Sequence, residues 1–208
     1  MKLFLYSSYV MSDSQRVVLG RLVGKDPKDI TIAAIANAVD VIEGANDWIG
    51  ASRASLPAQS SHINVVDVRA WRDNRVGLYE QLAGNDVIWV SGGNTYYLRW
   101  LMKQTAVDDI IRELVGKGAV YAGWSAGAII AGPTLRFFEP LEDMSVVPEV
   151  FYDTLGLMDV VPIPHMDLHE FTEGMTEARR QLTQAGFTTV PLNEDQALVI
   201  DGDRKEVV

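Results

Sequence analysis

The 208-residue chain contains no cysteine. That absence removes disulfides, cysteine metal ligands and thiol catalysis together, and it fits a reducing cytosol. No stretch approaches the roughly 18–20 consecutive apolar residues that a membrane span needs. The first residues, MKLFLYSSYV, carry one lysine and turn polar after Leu5, too short an apolar run for a signal segment. Basic charge is also scarce: 18 Lys and Arg stand against 28 Asp and Glu, a formal charge of -10. Such a surface argues against nucleic acid or an anionic membrane as the main partner. Neither G-x-x-x-x-G-K-[ST] nor G-x-G-x-x-G occurs, so a dedicated phosphate loop is not indicated. The expectation is a soluble, cytoplasmic protein with one domain spanning residues 1–208, since no Pro/Gly/Ser-rich or charge-run linker divides the apolar segments.

What is present is an alternation of apolar runs and helical spacings. KLFLY, ITIAAIANA, HINVVDVR, DVIWV, AVYA, VVPIP and TTVPL read as strands. Between them lie segments of helical pattern, among them SDSQRVVLGRLVG, TYYLRWLMKQTAVDDIIRELVGKG and FTEGMTEARRQLTQAG. The long second one reads as one helix or two. QALVIDGDRKEVV reads as a terminal hairpin. Strand–helix alternation implies an α/β three-layer sandwich around a mostly parallel sheet, because parallel strands need crossover connections. In such sheets ligands bind beyond the carboxyl ends of the strands. Three polar interruptions fall there: SGGNT, GWSAG and IPHMDLH.

Residues 123–127, GWSAG, fit G-x-S-x-G between AVYA and AIIA. A strand turning sharply into a helix would lift Ser125 to the tip, with backbone N–H groups beside it. The alternative is an ordinary turn whose serine caps a helix. A serine hydroxyl needs a base to take its proton, and the chain has three histidines. His62 precedes a strand, at the wrong edge. His165 follows VVPIP at the carboxyl end of a strand, and His169 opens the next helix. His165 is the expected base. Pro162 and Pro164 disfavour a helical HMDLH face, so no metal site is expected there, and no cofactor is implied. For the acid that orients the histidine, Glu139, Glu142, Asp143, Asp153 and Asp159 are all candidates by spacing. In VIWVSGGNTYYL, Gly93 offers a backbone N–H that would complement that of Ala126 in an oxyanion hole, and Asn94 or Thr95 can cap the helix that follows.

Taken together, SGGNTYYL, GWSAGAIIAGPTL and PIPH resemble the S51 peptidase family, the group of aspartyl dipeptidase and cyanophycinase, in order and separation over roughly residues 1–200. The resemblance implies a flavodoxin-like or class I glutamine amidotransferase-like sandwich with a serine nucleophile. It implies Ser125 as nucleophile, His165 as base, and Gly93 and Ala126 as the oxyanion-hole positions. It places the acid in the loop after the serine's helix, where EDMSVV points to Asp143, with Glu142 and Glu139 as alternatives. It implies a short-peptide substrate touched by Asn94 and Thr95. An N-terminal aspartate would be read by Arg179 and Arg180, or by Arg136. The expected protein is therefore a serine exopeptidase of dipeptides or short peptides, a monomer or homodimer. A cyanophycinase-like hydrolase of aspartyl-arginine peptides and a non-hydrolytic amidotransferase-like small-molecule binder are the other readings.

Overall fold

The computed structural model describes residues 1–58 and 62–208. Among the described residues, nine strands and seven α-helices follow one another as β1 (Lys2–Tyr6), α1 (Asp13–Val23), β2 (Ile32–Ile35), α2 (Asn46–Ala54), β3 (Ile63–Val65), α3 (Arg75–Leu82), β4 (Val87–Val90), α4 (Thr95–Thr105), α5 (Val107–Gly116), β5 (Val120–Trp124), α6 (Ala126–Ile129), β6 (Val160–Ile163), α7 (His169–Gln184), β7 (Thr188–Pro191), β8 (Ala197–Asp201) and β9 (Arg204–Val207). Seven strands form one sheet in the order β3-β2-β4-β5-β1-β8-β9. The first five run parallel; β8 lies antiparallel to β1, and β9 closes the hairpin. β6 and β7 make a separate parallel pair.

The two faces of the sheet follow from side-chain alternation. Leu3, Leu5, Ala33, Ile35, Ile88, Val90 and Tyr121 pack with α3, α4 and α5. Phe4, Tyr6, Ile32, Ala34, Val87, Trp89, Ala122 and Trp124 pack with α1 and α2. Strands buried on both faces explain why these segments read as continuous apolar runs rather than as alternating ones. A third cluster joins β6 and α7 to Tyr96, Ile129, Leu135 and Phe138.

Local chemistry sets the element ends. Ser12 and Gln15 form a capping box on α1, and Gly24 closes it in the left-handed conformation. Ala106, at φ 53°, divides the long helical segment into α4 and α5. The serine's helix, α6, lasts a single turn before Gly132 and Pro133 end it. The chain from Gly132 to Asp159 then returns over the molecule through two short 3₁₀ turns, Glu139–Leu141 and Met144–Val146. It is tied down by backbone bonds from Leu155 to Ile130 and from Leu157 to Ala131. The carboxyl ends of β1, β2, β4 and β5 and the start of β8 thereby share one edge.

Candidate active site

Ser125 stands between β5 and α6 with φ 50° and ψ -115°, a conformation non-glycine residues rarely hold. The glycines around it are demanded by close packing. A Cβ on Gly123 would lie 2.4 Å from the Gly127 carbonyl oxygen, and one on Gly127 would lie 2.2 Å from that of Val90. Glycine at 123 lets the bend close on itself, and glycine at 127 lets it pass against β4. The Ser125 N–H donates to the Tyr6 carbonyl, which fixes the bend to β1.

His165 lies two residues beyond β6, also at positive φ, 61°. Its backbone N–H donates to Ser7 Oγ at 2.7 Å, and the Met166 N–H donates to the Leu192 carbonyl. The ring is buried and stacks on Phe171 at 5.0 Å. Its Nε2 is 2.9 Å from Ser125 Oγ. Its Nδ1 is 2.5 Å from Glu194 Oε1. A carboxylate against Nδ1 favours the tautomer that carries the proton there, which leaves Nε2 as an acceptor for the serine hydroxyl.

Glu194 belongs to the loop between β7 and β8. Ser7, fully buried, donates its hydroxyl to Glu194 Oε1 at 2.8 Å. The Glu194 N–H donates to Asp167 Oδ1 at 2.8 Å. Burial alone would raise the Glu194 carboxyl above the usual range, but the bonds from His165 and Ser7 outweigh it and hold it below.

Asp143, the acid implied by the resemblance, is not at the imidazole. It is exposed and accepts from the Ser145 N–H at 2.9 Å and the Ser145 hydroxyl at 2.6 Å, so that it caps the turn Met144–Val146. These bonds lower its pKa. Glu142 instead accepts from the N–H and hydroxyl of Thr95, at 3.1 and 2.5 Å, on the first turn of α4. Burial pushes its carboxyl up to about 7 against those bonds. Glu139 opens a 3₁₀ turn, Asp153 pairs with Arg99 and Lys103, and Asp159 pairs with Lys205. Every acid the spacing offers lies between serine and histidine, whereas Glu194 follows the histidine by 29 residues. A signal for it existed in the hairpin: an antiparallel strand beside β1 must begin at the edge where parallel strands end, so LNEDQ enters the site.

Most of the side chains expected at the substrate have intramolecular partners in this structure. Asn94 Oδ1 accepts from the Tyr97 N–H, and its Nδ2 donates to the Asp143 carbonyl, so it caps α4 and anchors the loop. Thr95 is committed to Glu142. Arg180 is paired with Glu177, and Arg179 is exposed beside it. Both lie ten or more residues into α7, roughly 15 Å from its start at a rise of about 1.5 Å per residue. Arg136 lies over the Tyr152 ring at 5.6 Å. His62 contacts the Lys28 carbonyl at the amino end of β3, and His169 is exposed on the first turn of α7.

Gly93 has φ 139°, and a Cβ there would lie 2.4 Å from the Ala38 carbonyl oxygen. Its N–H has no hydrogen-bond acceptor among the described residues. Ala126 opens α6, so its N–H has no acceptor within the helix. Among the described residues there is no group of three or more His, Asp or Glu suited to a metal ion, and no helix is long and apolar enough to cross a membrane.

Comparison with known proteins agrees with this architecture. An uncharacterized peptidase of Pasteurella multocida (strain Pm70) is 26% identical over 98% of this chain and 95% of its own length. Peptidase E of Shewanella amazonensis is 31% identical over 69% of this chain and 60% of its own. Among solved structures, a candidate peptidase E from Listeria monocytogenes EGD-e has the same fold, with a TM-score of 0.81, 24% identity and coverage of 100% of this chain and 97% of that one. A peptidase from an acI-B1 Actinobacterium superposes with a TM-score of 0.69 at 21% identity, covering 100% and 86%. The model of peptidase family S51 matches residues 38–208, and the chain belongs to that family.

Proposed function

We propose that the chain is a serine peptidase that cleaves dipeptides or short peptides through Ser125, His165 and Glu194. The observation that carries the reading is the continuous relay from Ser125 Oγ to His165 Nε2, 2.9 Å, and from His165 Nδ1 to Glu194. Family membership and the peptidase E relatives support a peptidase.

In this reading Ser125 Oγ bonds to the scissile carbonyl carbon as its proton passes to His165 Nε2. The carbonyl oxygen becomes an oxyanion, held by the N–H groups of Gly93 and Ala126. The intermediate collapses, the C–N bond breaks, and His165 gives the proton to the leaving amine. Water then attacks the acyl-serine as His165 takes its proton; the second tetrahedral intermediate collapses, the Ser125 Oγ–C bond breaks, His165 returns the proton to Oγ, and the acid product leaves. Glu194 stays ionised, holds the imidazole in the required tautomer and stabilises the imidazolium.

The test is Ser125→Ala. It is expected to lower kcat on a dipeptide panel by on the order of 10⁴-fold or more while circular dichroism and the unfolding midpoint stay native-like. Retained turnover in that variant would refute the reading.

A further inference from the structure

Two bonds seat the loop that carries Gly93, and both are received by the segment at the carboxyl end of β2. The Ser91 N–H donates to the Ile35 carbonyl at 3.0 Å, and the Asn94 N–H donates to the Ala38 carbonyl at 2.8 Å. Gly92 and Gly93 lie between these anchors. Gly93 also rests directly on Ala38: a Cβ on it would lie 2.4 Å from the Ala38 carbonyl oxygen and 2.9 Å from the Ala38 Cβ. The direction of the Gly93 N–H is therefore set by where the turn Asn37–Val39 holds Ala38.

That segment is a single 3₁₀ turn, and the residue before it, Ala36, gives it no side-chain cap. Asn37, which is buried, holds it instead. Its Nδ2 donates to Asp40 Oδ2 and to Asp67 Oδ1, each at 2.9 Å, and its Oδ1 accepts from the Val68 N–H at 3.1 Å. The amide is oriented by these partners, since the reverse placement would set its oxygen against two carboxylates. The carboxylates are fixed in turn. Arg69 bonds to Asp67 through Nε and Nη2 and pairs with Asp40 at 3.3 Å. Tyr97 of α4 donates its hydroxyl to Asp40 Oδ2 at 3.2 Å. The Arg69 bond, against partial burial and together with the bond from Asn37, holds the Asp67 carboxyl down to about 2. Asn37 thus joins the segments after β2 and β3 to α4, the helix that follows the Gly93 loop.

We propose that Asn37 is a positioning residue for the oxyanion hole: it fixes the turn on which Gly93 rests and so aims the Gly93 N–H at the oxyanion. The inference rests on the peptidase reading and deepens it. The Asn37 side chain bonds to none of Ser125, His165 and Glu194, so its loss leaves the proton relay in place. A donor that has swung away weakens the tetrahedral intermediate, whose oxygen is charged, far more than the bound substrate.

The experiment compares wild type, Asn37→Ala and Asn37→Ser on a dipeptide panel. The inhibitor is the aldehyde of the acyl residue of the best substrate, which forms a tetrahedral adduct with the serine. Asn37→Ala is expected to lower kcat about 10- to 100-fold with KM near wild type. The Ki of the aldehyde should rise by a similar factor, and the pH profile of kcat should keep its shape. Asn37→Ser, which keeps one hydrogen-bonding group, should fall between the two and serves if Asn37→Ala does not fold. NMR of protein labelled at its glycine amides reads the loop without turnover. In either variant the Gly93 signal should shift or broaden while those of Gly123 and Gly127 stay in place. An unmoved Gly93 signal, a kcat within about twofold of wild type, or a loss through KM alone would overturn the inference while leaving the peptidase reading intact. Should the wild type cleave no dipeptide, the peptidase reading fails separately, and the Gly93 signal decides whether Asn37 positions the loop.

Discussion

The hydroxyl of Ser7 donates to the carboxylate of Glu194 over 2.8 Å, joining the first strand's end to a loop 187 residues later. The same oxygen accepts the His165 backbone N–H. One buried hydroxyl thus holds both the acid and the histidine loop in position from β1, the strand that also receives the Ser125 N–H. Neither Glu194 nor His165 sits on an element of the parallel sheet; Ser7 is what references them to it.

If Glu194 orients the imidazole, Glu194→Gln should lower kcat by about 10³–10⁴-fold with KM little changed, because an amide can impose the wrong tautomer. Asp143→Asn should change kcat/KM by less than about threefold, since that carboxylate serves only an exposed turn. Steady-state kinetics of the two variants on one dipeptide decide between the acids. Strong loss in Asp143→Asn with activity kept in Glu194→Gln would reverse the assignment.

Ser7→Ala leaves the serine, histidine and glutamate chemically intact but removes the positioning hydroxyl. We expect kcat to fall about tenfold or more and KM to stay near wild type. The buried His165 N–H loses its acceptor, a cost of about 1–3 kcal/mol measurable by urea unfolding. Ser7→Thr, which keeps the hydroxyl, should restore part of kcat; if it restores none, steric fit at this fully buried position matters more than the hydrogen bond.

The sheet was legible because its central strands are buried on both faces, and two of them are punctuated by glycine, as in VIWVSGG and AVYAGWS. The serine bend was legible because the glycines demanded by Val90 and Gly127 leave a pattern in the sequence. The histidine was legible because only three exist and one follows a strand. Glu194 was not, for a physical reason: a loop carboxylate carries no local mark of its partner, and its place depends on β8 pairing antiparallel beside β1. For Asn94 and Thr95 the sequence leaves capping and ligand binding side by side, because both use the same side chains at the same strand end; their bonds to Asp143 and Glu142 depend on the loop folding back over α4.

Arg99 is wholly buried in α4, bonded to Asp108 at 2.8 Å and Asp153 at 2.7 Å. It ties α4 to α5 and to the return segment after α6. Replacing it by methionine keeps the volume but leaves Asp108, which is nearly as buried, with only the longer contacts to Arg112 at 3.4 Å and Lys103 at 3.8 Å. Arg99→Met should therefore cost about 2–3 kcal/mol, below the full cost of an unpaired buried charge because Arg112 and Lys103 remain. Adding Asp108→Leu should recover part of the loss, because the buried charge left without its shortest partner is then gone. Chemical denaturation of the single and double variants checks this; equal stabilities of Arg99→Met and wild type would show that the pair contributes nothing.

Glu142 and Glu194 should give pH dependences of opposite sign. Glu194 titrates below its ordinary value when folded, so its contribution is present above the usual Glu range and is lost as pH falls through the lower folded value. Glu142 titrates at about 7 when folded, against an ordinary 4.5, because it is buried over α4. Between those values the folded state binds the proton that the unfolded state has released. Its contribution is therefore complete below pH 4.5 and is lost as pH rises through about 7, a change of about 2–3 kcal/mol for one carboxyl. Glu142→Gln fixes a neutral group in its place. The difference in unfolding free energy between wild type and Glu142→Gln should accordingly fall, to the disadvantage of wild type, from pH 5 to pH 8. Urea unfolding at both pH values reads it directly. A pH-independent difference would mean that the bonds from Thr95 fully offset the burial and that this carboxylate is ionised throughout.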